Sequence, residues 1–253
     1  MGLIASGLTD IGQKRSTNQD SIFYDNEKYL YIVADGMGGH KGGDIASAMA
    51  VEHIPDFIFK NPTSKTADNI KESIQHANNL IKSHGEGNDR LKGMGTTVVT
   101  FMFDKDTLYI GNVGDSRAYM VSKGKLYQLT IDHSLVQEKL SLAINANSSH
   151  YNREKAALDP QKNVIVRTVG FEPSVNVDVY SYKVNKNDFF FICSDGLHGK
   201  VSDKDMLEII NHHIPDPSKA DQSDIDQTVK DLVKQANLNG GNDNISVIAV
   251  VAQ

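Results

Sequence analysis

The chain has 253 residues, of which 39% are hydrophobic and 23% are charged, and its net charge is −6. This composition is typical of a globular protein with a substantial core, and the acidic balance argues against a nucleic-acid or membrane surface. Cys193 is the only cysteine, so no intrachain disulfide can form. The N-terminal segment lacks signal-peptide features, and no apolar run approaches the ~20 residues that span a bilayer. We therefore expect a cytoplasmic enzyme or binding protein.

The first part of the chain alternates predicted strands and helices. The apolar run at 29–34 is short, continuous and bounded by glycine, which indicates a buried strand. Asp44 is a favourable N-cap for the helix that follows, and Pro55 is expected to limit its end. The elements predicted here are strands at 3–8, 21–24 and 29–34, a helix from Asp44, and an amphipathic helix at 66–82.

Strands dominate the remainder of the chain. The irregular segment from Ile131 to about Gln161 is interpreted as a short helix followed by a surface flap, after which sheet resumes at 163–168. Without a linker or repeat, the sequence predicts one domain over residues 1–253, with the flap at about 135–162. The other predicted elements are strands at 98–103, 108–113, 117–121, 125–129, 175–181, 189–193 and 245–251, and helices starting near Ser202 and Ile225.

Five aspartates stand at the ends of predicted strands. Asp35, Asp115 and Asp195 each follow an apolar run beside a glycine, and Asp20 and Asp243 each precede one. The exit of one antiparallel strand and the entrance of its neighbour share an edge, so these side chains can converge at one rim. Clustered carboxylates repel unless protonated or bound to cations, and their hard oxygens suit Mg²⁺ or Mn²⁺. Five separate turn or cap residues are the alternative, because Asp-Gly is a common turn dipeptide.

Short motifs surround these aspartates in a fixed order along the chain. They are Arg15 with Asn18 and Asp20, DGMGGH at 35–40, GTT at 95–97, GDSRAY at 114–119, DHS at 132–134, SDGL at 194–197 and GNDNIS at 241–246. Together they resemble the motifs of the bacterial metal-dependent protein phosphatases of the PPM (type 2C) family. The resemblance covers nearly the whole chain.

The resemblance implies both a fold and an activity. The fold would be of the α+β class, a four-layer α-β-β-α sandwich in which two antiparallel sheets are flanked by helices. The activity would be hydrolysis of phosphoserine and phosphothreonine in proteins, by a monomer, in opposition to a serine/threonine protein kinase. Two Mn²⁺ or Mg²⁺ ions would activate the attacking water, with a third ion bound more weakly.

The resemblance also implies which residues form the metal site. Asp35 would bridge the two ions. The Gly36 carbonyl, Asp195 and Asp243 would be further ligands of these ions, and Asp20 would hold a metal-bound water. Asp115 together with Asp195 would bind the third ion.

On the substrate side, the resemblance implies that Arg15 clamps the phosphate, since a guanidinium pairs bidentately with phosphate oxygens. Met37 occupies the position at which eukaryotic members carry a histidine. His40, three residues on, is predicted as the catalytic acid for the leaving alcohol, with a structural loop role as the alternative. Gln19 stands where relatives usually carry glutamate. His198 is interpreted as a surface histidine.

Two other functions stay open at this point. A phosphatase-like scaffold that binds without turnover is supported by Gln19 and by the flap, where residues 140–157 depart from the usual bacterial pattern, but the retained aspartates speak against it. A nucleotide-binding protein is suggested by the glycine-rich stretch after Asp35. That stretch lacks a Gly-Lys-Ser/Thr ending, so it is not a P-loop.

Overall fold

The computed structural model describes residues 2–37, 42–63, 65–146, 148 and 151–253, which form eleven strands and seven α-helices. The strands are β1 (Leu3–Asp10), β2 (Asp20–Asp25), β3 (Leu30–Met37), β4 (Gly95–Thr96), β5 (Val98–Asp104), β6 (Thr107–Val113), β7 (Arg117–Ser122), β8 (Lys125–Gln128), β9 (Asp178–Lys183), β10 (Phe189–Cys193) and β11 (Ile245–Ala252). The helices are α1 (Gly43–Lys60), α2 (Thr66–Glu86), α3 (Leu135–Asn145), α4 (Arg153–Leu158), α5 (Asp195–His198), α6 (Asp203–His213) and α7 (Gln222–Leu238).

The strands form two antiparallel sheets that face each other. The first has the order β1-β11-β10-β7-β8, and the second has the order β2-β3-β5-β6-β9 with β4 paired to β3. Between them lies a buried cluster to which both sheets contribute. In this cluster the Phe190 ring lies 6.2 Å from the Phe101 ring of the other sheet at an angle of 80°, an edge-to-face contact that adds to the burial of both rings.

Helices cover the outer face of each sheet. Ile54 of α1 and Ile74 of α2 are buried with Ile32 of the second sheet, whereas Leu232 of α7 is buried with Phe191 of the first. Both faces of β3 are therefore covered, which explains why its sequence is a continuous apolar run without polar alternation. The predicted four-layer α-β-β-α fold is confirmed. In the described part of the chain, none of the helices has the length and apolar character to cross a membrane.

The structure corrects both predicted bounds of α1. The N-cap is Gly42, at φ +90°, and Asp44 instead lies in the first turn, where its charge complements the helix dipole. Pro55 lies inside the helix, which continues to Lys60. The predicted stop was wrong because Ile54 and Ile58 on the core face are buried, and this burial outweighs the hydrogen bond that a proline removes.

The flap region agrees with the sequence only in part. Its first helix, α3, is capped by Ser134, whose side chain accepts a hydrogen bond from the Gln137 N–H. The short helix α4 was not predicted, because it is too brief to show a periodic pattern. The strand expected at 163–168 is wrong, since this segment forms an isolated bridge between Ile165 and Ser134. The strand expected from residue 175 begins at Asp178.

Candidate active site

The two sheets bring the five strand-end aspartates to one rim of the sandwich. Asp20, at the start of β2, is paired in register with Asp35 near the end of β3. Asp195 follows β10 directly and Asp243 lies just before β11, and these two strands are neighbours in the first sheet. The charges of Asp20, Asp195, Asp115 and Asp243 all act on Asp35. The rim is therefore a concentration of acidic side chains drawn from both sheets.

Burial and neighbouring negative charges raise the pKa of the carboxyl groups at the centre of this rim. Burial raises the pKa of Asp35 well above its usual range, and the four neighbouring aspartates raise it further. Burial and the charge of Asp243 raise the pKa of Asp195 to about 6, against the opposing effect of its hydrogen bond with Asp35. Carboxylates in this situation are stabilised by a proton or by a bound cation.

Asp20 joins the two sheets at the rim. Its Oδ2 accepts hydrogen bonds from the hydroxyl groups of Ser194, at 2.8 Å, and Ser246, at 2.7 Å. Burial raises the pKa of Asp20 to about 7, although both hydroxyl groups act to lower it. Because Ser194 immediately precedes Asp195, this network sets the position of Asp195 relative to Asp35.

Asp115 provides a buried oxygen that the described residues leave without a partner. The residue is 6% exposed, and its Oδ1 has no hydrogen-bond partner in that part of the chain. Burial raises its pKa to about 8, and the charge of Asp195 adds to the shift. A buried, unpaired carboxylate oxygen is costly, and a hard divalent cation would satisfy it. This orphaned atom indicates that the acidic rim fits a divalent-cation site.

Arg15 lies at the exposed edge of the same cluster. Its Nη2 is 2.6 Å from Oδ2 of Asp243, and its side chain is 48% exposed. The hydrogen bond with Asp243 raises the pKa of Arg15. The other N–H groups of the guanidinium can bind an anion, since this group carries several donors. His40 lies outside the described residues.

Two backbone features complete the geometry of the rim. The Gly36 N–H donates to the carbonyl of Gln19 at 3.0 Å, and a Cβ at Gly36 would overlap the carbonyl oxygen of Gly43. In the described residues, no group of three or more His, Cys, Asp or Glu side chains is already arranged to hold a metal ion. The ion pair between Arg15 and Asp243 directs one carboxylate oxygen of Asp243 toward the guanidinium.

The sequence patterns assigned no role to several polar residues beside the aspartates. Thr97 Oγ1 accepts from the Asp35 N–H at 3.0 Å and lies 2.8 Å from the Ser116 hydroxyl. A signal was present, because Thr97 and the serines that bind Asp20 all occur within the motifs that contain or adjoin the aspartates. The interpretation of His198 as a surface residue is wrong: it is half-buried, and its Nε2 lies 3.0 Å from the carbonyl oxygen of Asp115.

Comparison with known proteins identifies the family. The family model described as Protein phosphatase 2C matches residues 11–234. The serine/threonine phosphatase stp of Listeria monocytogenes is 36% identical over 249 residues, which are 96% of this chain and 93% of that protein.

Solved structures agree with this match. The serine/threonine phosphatase of S. agalactiae has 35% sequence identity and a TM-score of 0.85, with 99% of this chain and 100% of that chain covered. The catalytic domain of the phosphatase PstP, in complex with 2 manganese ions, has 26% identity and a TM-score of 0.83, with 99% of each chain covered. This chain therefore belongs to the protein phosphatase 2C family and is a serine/threonine protein phosphatase.

Proposed function

We propose that this phosphatase hydrolyses phosphoserine and phosphothreonine in proteins by a reaction that depends on two Mn²⁺ or Mg²⁺ ions bound at the acidic rim. The observation that carries the proposal is the convergence of five aspartates at one rim, where burial and the charges of the other four raise the pKa of Asp35. The unpaired Oδ1 of Asp115 supports a cation at this place. The complex of the related PstP with manganese supports the same conclusion.

The proposed ligands are side chains and one carbonyl of the rim. Asp35 would bridge the two ions. The other participants would be Asp195, Asp243 and the Gly36 carbonyl, with Asp20 holding a metal-bound water and Asp115 joining Asp195 at a third, weaker site. When bound, the ions would make an activated water available near neutral pH and neutralise charge on the phosphoryl oxygens.

The chain's own residues would orient the substrate for this reaction. Arg15 is half-exposed at the edge of the rim, so a phosphorylated side chain on a protein surface can reach it. Its guanidinium would bind two phosphoryl oxygens and hold the phosphorus in line for attack. His40 is proposed as the donor of the proton that the leaving alkoxide needs.

Replacement of Arg15 by alanine is expected to raise KM for a phosphothreonine peptide about 10- to 100-fold, because a charged hydrogen bond is worth roughly 1.5–3 kcal/mol. Arg15→Lys should recover only part of this, since an ammonium keeps the charge but not the bidentate geometry. Steady-state kinetics with saturating Mn²⁺ provides the measurement. Arg90→Ala, in the exposed loop after α2, is the control, and an equal rise of KM in this variant would contradict the role of Arg15.

The cation dependence is tested with the metal-stripped protein, a phosphothreonine peptide and an aryl phosphate. Phosphate release should be absent in EDTA and should return when Mn²⁺ or Mg²⁺ is added in excess. Release that persists in EDTA would contradict the proposal. Tight binding of the phosphopeptide with no phosphate release in Mn²⁺ would instead favour a non-catalytic scaffold, and calorimetric titration measures that binding.

The proposal also covers the opposing kinase, the oligomeric state and the cellular location. A phosphatase of this specificity removes phosphate that a serine/threonine protein kinase has added, so such a kinase is its proposed counterpart. We propose that the chain acts on its substrates as a monomer and in the cytoplasm. Size-exclusion chromatography with light scattering at micromolar concentration tests the monomer.

A further inference from the structure

The turn that carries Asp115 is held by hydrogen bonds to the main chain of Gly114 and to the side chain of Ser116. His133 contacts Gly114 twice: its N–H donates to the Gly114 carbonyl at 2.9 Å, and its Nδ1 accepts from the Gly114 N–H at 3.0 Å. On the other side of Asp115, the Ser116 hydroxyl lies 2.8 Å from Thr97 Oγ1. Gly114 itself has φ +105°, a conformation that glycine adopts readily.

His198 also contacts this turn. Its Nε2 lies 3.0 Å from the Asp115 carbonyl oxygen. A carbonyl can only accept, so Nε2 carries the ring proton and donates it.

His198 lies on the same helical turn as Asp195. Helix α5 is a single turn that begins with Asp195 and ends with His198. The hydrogen bond from His198 therefore ties the turn that carries Asp195 to the turn that carries Asp115. The two carboxylates that the His198 contact links are close enough for the charge of Asp195 to act on Asp115.

We infer that His198 is a positioning residue that fixes the separation of the Asp115 and Asp195 carboxylates and so sets the affinity of the third, weaker cation. This inference rests on the proposed function. The Asp115 side chain has an oxygen with no partner in the described residues, so its direction depends on the turn that carries it, which His198, His133 and Thr97 hold in place. Of the ligands proposed for the two tighter ions, Asp195 is also held from its other side, because Ser194 next to it donates to Asp20 at 2.8 Å, and Asp35 and Asp243 lie outside the two turns that the His198 contact joins.

Loss of the His198 hydrogen bond should therefore weaken one binding step only. Removal of a group that orients a metal ligand typically lowers metal affinity about 10- to 100-fold. His198→Leu removes the donor and keeps an apolar side chain of similar size. His198→Gln restores an N–H at nearly the reach of Nε2, and His198→Asn carries the same amide on a shorter side chain.

The test is calorimetric titration of Mn²⁺ into the metal-stripped full chain, with bound ions counted by elemental analysis. In His198→Leu, the Mn²⁺ affinity of the weakest binding step should fall at least about tenfold, whereas the affinities of the tighter binding steps should not change. In His198→Gln, the affinity of the weakest step should be within about threefold of the wild-type value. In Asp115→Asn the weakest step should disappear, and the double variant Asp115→Asn/His198→Leu should bind as Asp115→Asn does, because His198 acts through Asp115.

Three results would overturn the inference. One is an unchanged weakest step in His198→Leu, and another is an equal loss in the leucine and glutamine variants, which would indicate packing rather than the hydrogen bond. The third is a wild-type chain that binds only two ions, and in that case the proposed two-ion phosphatase would still stand. Circular dichroism in EDTA checks folding, and if the leucine variant does not fold, His198→Asn replaces it in the same comparison with His198→Gln.

Discussion

The Asp35→Asn variant is expected to fold normally and to lose activity on a phosphothreonine peptide by a factor on the order of 10³ or more. Loss of a single electrostatic contact to a transition state lowers kcat about 10²- to 10³-fold, and Asp35 is proposed to hold both cations. Folding should persist because burial and the neighbouring aspartates raise the pKa of Asp35 well above its usual range, so a neutral side chain is favoured at this position when no cation is bound. An asparagine is neutral and of the same size.

This prediction separates catalysis from stability. In EDTA, Asp35→Asn should melt at the wild-type temperature, but Mn²⁺ should raise its melting temperature much less than that of the wild type. Asp25→Asn is the matched control at the opposite end of β2, where Asp25 accepts from the N–H groups of Glu27 and Lys28. Asparagine also forms such turns. More than a tenth of wild-type turnover in Asp35→Asn, measured in Mn²⁺, would contradict the bridging role.

The sheet strands and the main helices could be predicted because local pattern and global burial agree for them. The run at 29–34 became β3, and the stripe of α2 faces the core as its spacing indicates. Local signals failed where tertiary contacts outweigh them. Helix α1 continues through Pro55 because residues beside it are buried in the core. The strand expected at 163–168 does not form because it has no continuous partner strand.

Part of the candidate site could also be predicted from local sequence patterns. The aspartates mark strand ends, and strand ends are visible in the sequence. What the sequence could not supply are contacts between distant residues, such as the pair of Arg15 with Asp243 or the bond from His198 to the Asp115 carbonyl. The sequence around His198 does not reveal this bond, because a histidine beside a glycine-rich motif fits a surface position equally well.

The stability of the cation-free protein is expected to fall as the pH rises from about 5 to 8.5. Asp195, Asp20 and Asp115 have pKa values raised to about 6, 7 and 8, and that of Asp35 is raised as well, whereas unfolded aspartate titrates near ~3.9. Between these values the folded chain binds more protons than the unfolded chain, so the free energy of unfolding decreases with pH. The contribution is fully present below about pH 4 and is lost as the pH passes through the folded-state pKa values.

Divalent cations should reverse this dependence, because they replace the protons that the carboxylates otherwise need. At a cation concentration near ~100 times Kd, each ion adds about 2.7 kcal/mol, which corresponds to a rise of about 5–10 °C in Tm for a chain of this size. Melting curves at several pH values, in EDTA and in Mn²⁺, measure the effect, and the rise in Tm caused by Mn²⁺ should be larger at pH 8 than at pH 5.5.

Asp115→Asn should weaken the dependence of Tm on pH in EDTA, since it removes the carboxyl group with a pKa of about 8. A Tm in EDTA that increases from pH 5.5 to 8 would show that the acidic rim is not under electrostatic strain, and the case for cations there would lose its physical basis.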